Sequence, residues 1–483
     1  MTPASPRRFI AFLLVCSLPF PSFSQRSISP APGIDHGRVY DFCRTLANDF
    51  GGRLTGDSGY TNAAHWVAGM FRQWGLAAFN DQAEYLQSFP APFTVVTRAK
   101  MTLTLPSADS TGALQQLTLE PGKDFLPLFY TDAGSISGEL VFAGWGIHAP
   151  QFGYDDYAGL DVRGKIVLCF RGVPNREDST FQEFDEHRIR MQTAKDLGAR
   201  ALFYIYEEPI ANPNGDLIEG FEPAMISYAV ADKILKEKGV TATALEDSLS
   251  HSQRSHSFSL SSSVTYEVEC RHNPKGTGYN VAGWLEGSDP KLKGEFVLLG
   301  AHLDHCGTHL GLTFPGANDN ASGSAVVMAI ANALAGQPRP KRSVAFVLFA
   351  GEEMGLLGSK FFVDHLPHQI KSTAAMVNFD MVGEGDGARC SVSARETWLR
   401  ELLETADKGV NTLRGCREIT RVGVRSSDFA PFFRKGIPCL SFSSNGPHLA
   451  YHKPGDSIYR INPDMLADVA RLGLLCAVAA ADR

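Results

Sequence analysis

From Tyr279 onward, apolar runs of strand length alternate with segments of helical period, and the strands end on imidazoles and carboxylates. Residues 296–301, 343–350, 374–379 and 437–442 read as strands; 322–334, 356–366, 397–410, 428–434 and 463–480 read as helices. Strands apolar on both sides, separated by helices, predict a mostly parallel (mixed) sheet with helices on both faces, an α/β fold. In such a sheet ligands collect beyond the carboxyl ends of the strands. His302, Glu352, Glu353 and Asp380 fall at those ends.

A chain of 483 residues is too long for one compact core. Residues 35–80 read as helices around the loop Gly51-Gly52-Arg53-Leu54-Thr55-Gly56, and 98–120 alternates as a strand does. From about 130 the runs at 138–146, 164–168 and 198–206, with a helix at 188–197, describe an inserted smaller β-rich α/β domain with its own core. The Ser- and His-rich stretch 248–263, carrying His251 and His256, reads as a solvated linker. The expected division is 1–24 as a signal peptide, 35–125 as an N-terminal part of the catalytic domain, 126–250 as the insert and 265–483 as the catalytic domain.

The leading segment has a positive start at Arg7-Arg8, an apolar stretch from Phe9 to Phe20 too short to span a bilayer, and a small-x-small site at Ser22-Phe23-Ser24. Leu13-Leu14-Val15-Cys16 loosely resembles a lipoprotein box, with Val15 too large for it, and Arg7-Arg8 a twin-arginine signal. No other run is long and apolar enough for a stable membrane span, so the expected location is periplasmic or extracellular. The formal charge of −7, with no basic block, argues against nucleic acid as a partner. Nine cysteines are scattered without CxxC pairs, and most read as small buried hydrophobes; one disulfide near the site is possible, and its pairing is open.

Five short segments carry the chemistry: Ala301-His302-Leu303-Asp304, Gly316-Ala317-Asn318-Asp319-Asn320, Gly351-Glu352-Glu353, Asn378-Phe379-Asp380 and Tyr451-His452. Two imidazoles with several carboxylates are the mixture that a pair of zinc ions takes. In an extended His-x-Asp the two side chains share a face, so Asp304 is placed to accept from the second ring nitrogen of His302. Asp319 reads either as a carboxylate bridging two cations or as the cap of the following helix. Adjacent carboxylates at Glu352-Glu353 after an apolar strand are costly unless neutralised; one is free to bind metal while the other handles protons. Tyr451 is placed to aim a phenol at a developing oxyanion. His305, Cys306 and His309 crowd the first segment; they read as nearby but non-ligating, the other reading being that they line the pocket or tune the site.

In this order the segments, together with Glu353-Met354-Gly355-Leu356-Leu357-Gly358-Ser359 and Ser427-Asp428-Phe429-Ala430-Pro431-Phe432, resemble the co-catalytic di-zinc aminopeptidases, the exopeptidase family that includes the glutamate carboxypeptidases. The resemblance covers about 275–483 and extends to the loop 51–56; the middle unit is similar to a protease-associated domain. It implies two Zn2+ per chain. His302, Asp319 and Asp380 would bind one, and Asp319, Glu353 and His452 the other. Glu352 would be the general acid/base, Asp304 a partner of His302, and Tyr451 an oxyanion donor. The implied reaction is removal of N-terminal residues from peptides with a free N-terminus through a di-zinc-bound hydroxide. Three rivals share the scaffold. A carboxypeptidase or dipeptidase would need cations such as Arg421 and Arg425 for a substrate carboxylate. A glutaminyl cyclase would keep one zinc, and a receptor homologue none. The middle unit is expected to overhang the cleft and limit substrate size; without it, zinc binding and hydrolysis of small anilides should stay at least partly intact while selectivity on longer peptides changes. The oligomeric state is left open.

Overall fold

The computed structural model describes residues 33–79, 85–106, 114–175, 179–423 and 426–483. The expected leader at 1–24 and Arg425 lie outside these residues. The first of two eight-stranded sheets runs in the order Leu86–Pro90, Thr277–Leu285, Ser343–Phe349, Glu295–His302, Ser372–Phe379, Cys439–Ser444, Ala388–Ser393, Leu413–Ile419. Its four central strands are parallel. Thr277–Leu285 pairs antiparallel with both its neighbours, and Ala388–Ser393 pairs antiparallel with Cys439–Ser444. The sheet is therefore mixed, as expected. The four flanking strands escape a reading by apolar run because each is short, amphipathic or at an edge.

Alternation along the central strands sends side chains to two cores. Val297, Leu299 and Ala301 join one cluster with the helices His36–Asp49, Gly323–Ala335 and Pro463–Asp482. Phe296 and Leu298 join the opposite cluster with Phe362, Phe429 and Phe432 from the helices Leu357–Asp364 and Phe429–Arg434. Burial on both faces explains why these strands read as unbroken apolar runs. Register brings their ends level: His302 stands opposite Phe349, and Phe379 opposite Phe442. The loops that follow therefore open at one edge of the sheet.

The second sheet runs Leu114–Leu119, Phe93–Pro106, Ser257–Asn273, Gly134–Ala143, Ile166–Phe170, Ala201–Tyr206, Ala224–Ser227, Phe125–Pro127 and encloses its own apolar core. Its strands reach beyond 126–250: Phe93–Pro106 and Ser257–Asn273 pair along their lengths. The stretch 248–263 is not a linker. It is the end of the helix Ala242–Ser252 and the start of the strand Ser257–Asn273. Serines at 259, 261 and 263 occupy the outward positions while Leu260, Val264 and Tyr266 are buried, so the strand is amphipathic and its composition misleads. The eight cysteines from Cys43 onward are free thiols. Among the described residues no helix is long and apolar enough to cross a membrane.

Candidate metal centre

Three of the five chemical segments leave the carboxyl end of a central strand, and a fourth, the Asp319 loop, is tied to one. His302 ends the strand Glu295–His302, Glu352 and Glu353 follow Ser343–Phe349, and Asp380 follows Ser372–Phe379. The Asp319 loop is held from several sides. Asp456 accepts from the amides of Asn318 at 2.9 Å and Asp319 at 3.0 Å. Asn320 donates to the Phe379 carbonyl at 2.9 Å and accepts from Gly323 N at 2.8 Å. Asn320, not Asp319, thus caps the helix, and the Asp319 carboxylate is free to face the site.

Two donor sets result. His302 Nε2 lies 3.3 Å from Asp319 Oδ1 and 3.3 Å from Asp380 Oδ1. His452 Nε2 lies 3.2 Å from Asp319 Oδ2 and 3.0 Å from Glu353 Oε2. Asp319 gives one oxygen to each set. His302 Nδ1 donates to the Asp304 carbonyl at 3.1 Å, and His452 Nδ1 donates to the Ala211 carbonyl at 2.7 Å. With Nδ1 carrying the proton, a neutral ring presents the Nε2 lone pair. Lone pairs then meet carboxylate oxygens, an arrangement that holds only with a cation between them. The spacings match the edge of a tetrahedron built from bonds of about 2.0–2.1 Å. Donor types and geometry both fit zinc.

Electrostatics state the same shortage of positive charge. Burial alone would depress the His302 imidazole, yet Glu352, Asp380 and the contacts to Asp319 hold it well above its usual range. Burial would likewise raise Glu353, but His452 and His305 bring it down to about 2. Asp319, against burial, is held well below the carboxylate range by His302 and His452. Glu352 is pushed well up by burial, opposed by the His302 imidazole, with Glu353, Asp428 and Asp380 adding to the effect.

Several expected details differ. The Asp304 carboxylate is 3.8 Å from His302 Nδ1; its main-chain carbonyl takes that role, while Asp304 Oδ1 accepts from Glu352 N at 3.2 Å. An extended His-x-Asp brings the side chain near, but the turn after His302 brings the carbonyl nearer. Tyr451 lies along the same pocket with its ring stacked on His452, centroids 3.8 Å apart. His305 is not a bystander: its Nδ1 is 2.6 Å from Glu353 Oε1, fully buried. Together with Cys306, Glu353 and His452 it forms a second cluster of possible metal donors. His309 stacks on Phe129 at 3.5 Å and donates to or accepts from main chain. The roles of Arg53 and Asp456 were hidden as well, because both act through main-chain groups. The only sequence signal was their place in a Gly-rich loop and a Pro-Gly turn.

Residues 280–477 match the family model described as Peptidase family M28. That stretch, which carries all five donor segments, is similar to peptidase family M28. The chain is 26% identical to Aminopeptidase YwaD of Bacillus subtilis (strain 168) over 348 residues, which span 70% of the chain and 68% of that protein. It is 27% identical over 396 residues to an aminopeptidase of Pseudomonas aeruginosa (strain UCBPP-PA14), 75% of the chain and 67% of that protein. Its fold is that of the aminopeptidase from Aneurinibacillus sp. strain AM-1, with a TM-score of 0.66 at 22% identity over 93% of this chain and 94% of that one. A zinc aminopeptidase from Bacillus subtilis gives a TM-score of 0.60 at 24% identity, covering 93% and 96%.

The donor sets open into a pocket of about 570 Å³. One wall carries His302, Asp319, Glu352, Glu353, Asp380 and His452; the other comes from the second sheet and includes Arg171, Tyr206, Glu207, Ile210 and Tyr228. Arg421 is exposed and does not line it.

Proposed function

We propose that this chain is an exported aminopeptidase of the M28 type that holds two zinc ions and removes N-terminal residues from peptides. The observation that carries the reading is the shared Asp319 carboxylate, with one oxygen facing each imidazole set. His302, Asp319 and Asp380 would hold one ion, and Asp319, Glu353 and His452 the other. When bound, the ions supply an electrophile for the scissile carbonyl and lower the pKa of water to near neutrality. Glu352 lines the pocket and is bonded through its amide to Asp304, which fixes its loop. It is the residue to take a proton from the attacking water and return it to the leaving amine. Tyr451, stacked on His452, is placed on the same wall to donate to a developing oxyanion. Glu207 and Glu246 add negative charge to the pocket, complementary to a substrate ammonium. The expected leader at the N-terminus supports export. The strands from Phe93 to Asn273 are read as the inserted domain, similar to a protease-associated domain.

One observation favours a second reading, a carboxypeptidase or dipeptidase. Arg171 lines the same pocket, although its guanidinium is already engaged by Asp185 at 2.8 Å and His187 at 3.0 Å. A panel of free, N-acetylated and C-amidated peptides separates the two. Aminopeptidase activity tolerates C-amidation and is abolished by N-acetylation. The reverse pattern overturns the proposal. Elemental analysis should give about two zinc ions per chain; one at saturation, kept by His302→Ala, moves the assignment to a cyclase.

A further inference from the structure

The two imidazoles differ in what holds them. His302 is fixed by the carbonyl of Asp304, two residues along its own loop. His452 is fixed from the other sheet. Its Nδ1 donates to the Ala211 carbonyl at 2.7 Å, and Ala211 N donates back to the His452 carbonyl at 2.8 Å. Ala211 lies just after the strand Ala201–Tyr206 and is fully buried. The bond pair grips a residue whose backbone is left-handed, at φ 54°, a conformation uncommon for a residue with a Cβ and one that needs support.

The segment carrying Ala211 is anchored on both sides. The Asn212 carbonyl accepts from Phe129 N at 2.9 Å, and its side chain meets His187 Nε2 at 3.1 Å. Asn214 accepts from Arg188 at 2.9 Å, and Arg188 also donates to the Met354 carbonyl at 3.2 Å, next to Glu353. Lys453 pairs with Glu208. The segment is therefore bonded directly to the His452 loop and, through Arg188, to the loop of Glu353, the imidazole and carboxylate of one donor set.

We propose that segment 207–214 of the second sheet is a positioning element of the second metal set. It fixes the tautomer and orientation of His452, so the ion held by His452 and Glu353 depends on the second sheet, while the ion held by His302 and Asp380 does not. The proposal rests on the two-ion reading. It sharpens the expectation that zinc binding stays partly intact without the middle unit, by naming the ion that would be weakened.

Zinc titration of the metal-free full chain against a competing chelator tests it. Ala211→Pro removes the amide donor and reshapes the strap; Asn212→Ala releases the anchor more gently should the first variant fold poorly; Ala211→Gly keeps both main-chain groups. Expected are two binding events in the wild type. One should weaken by about 10–100-fold in Ala211→Pro and Asn212→Ala, the usual effect of losing an outer partner of a ligand. The other should move by less than about threefold, and Ala211→Gly should behave as wild type. In an Asp380→Ala background the ion that remains should be the sensitive one. Equal weakening of both events, or no weakening in either variant, overturns the strap while leaving two ions in place. A single event in the wild type overturns the two-ion reading and the proposal with it.

Discussion

Arg53 and Arg190 are both fully buried, one against each sheet, and both spend their guanidinium on main-chain carbonyls. Arg190 donates to Gly172 and Phe184, each at 2.7 Å, and lies 3.8 Å from Asp185. Arg53 donates to Leu303 at 2.9 Å, Leu46 at 2.8 Å, Pro315 at 2.7 Å and Gly316 at 2.9 Å. Around Arg190 charge is balanced: Asp185 is paired with Arg171, and Asp156 nearby accepts from Trp145 N, Ile147 N and the Tyr154 hydroxyl. Around Arg53 it is not. Asp304, Asp319, Glu353, Asp428 and Asp456 are buried with Glu352 and Asp380 close by, and among the described residues no lysine or arginine pairs with any of them. Around Arg190 the second sheet balances its charge with protein groups. The first leaves a deficit that cations must fill, and a buried carboxylate without a partner is strongly unfavourable.

The comparison is tested most severely by removing zinc. Each ion at a thousandfold excess over its dissociation constant adds about 4 kcal/mol to stability. Chelation should lower the melting temperature and speed hydrogen exchange around His302, Asp319, Glu353 and His452, with little change in the strands Ile166–Phe170 and Ala201–Tyr206. Uniform loss of protection in both sheets, or none, breaks the contrast.

The next effect is on rate. Glu352→Gln keeps shape and the amide bond to Asp304, removes the titrating oxygen, and should lower kcat by about 10²–10⁴-fold with zinc content unchanged. Activity near that of the wild type removes Glu352 from proton transfer.

The central parallel strands and the donors at their ends were legible because chemistry there is carried by side chains at strand termini, where residue type and apolar run coincide. What was not legible acts through the main chain or across long separations. Ala211 contributes only a carbonyl, so no residue type could mark it. Arg53 also works by donating to carbonyls from a Gly-rich loop. The strand Ser257–Asn273 was hidden because its exposed positions carry serines, charges and other polar residues, and its buried positions are visible only once the period of two is traced across 17 residues. His305 was read as a neighbour because its contact, Glu353, is 48 residues away.

The two arginines sharpen the contrast further. Arg53→Met and Arg190→Met each leave buried carbonyls without donors, and each should cost about 3–5 kcal/mol in denaturant titration. Only Arg53→Met should also weaken zinc binding, because it loosens the loops of Leu303 and Gly316 on either side of the ions. If both variants lower zinc affinity alike, the second sheet's interior is coupled to the site as tightly as the first.

The smallest effect concerns Asp156, whose carboxyl is raised to about 6 by burial, opposed by hydrogen bonds from Ile147, Tyr154 and Trp145. Its folded pKa thus lies above its unfolded one. The folded state binds this proton more tightly, so the group's contribution is complete below about pH 4 and is lost as pH rises through about 6. The loss is at most about 3 kcal/mol for a shift of this size. Asp156→Asn cannot titrate, and its amide can still accept from the two main-chain donors and donate to the Tyr154 hydroxyl. The difference in stability between wild type and variant should therefore move against the wild type between about pH 4 and 6, measured with zinc held saturating so that the carboxylates of the other sheet do not contribute. A difference that stays flat across that range would mean that Asp156 is ionised throughout, held by its hydrogen bonds, and that charge in the second sheet is balanced even more completely than its burial suggests.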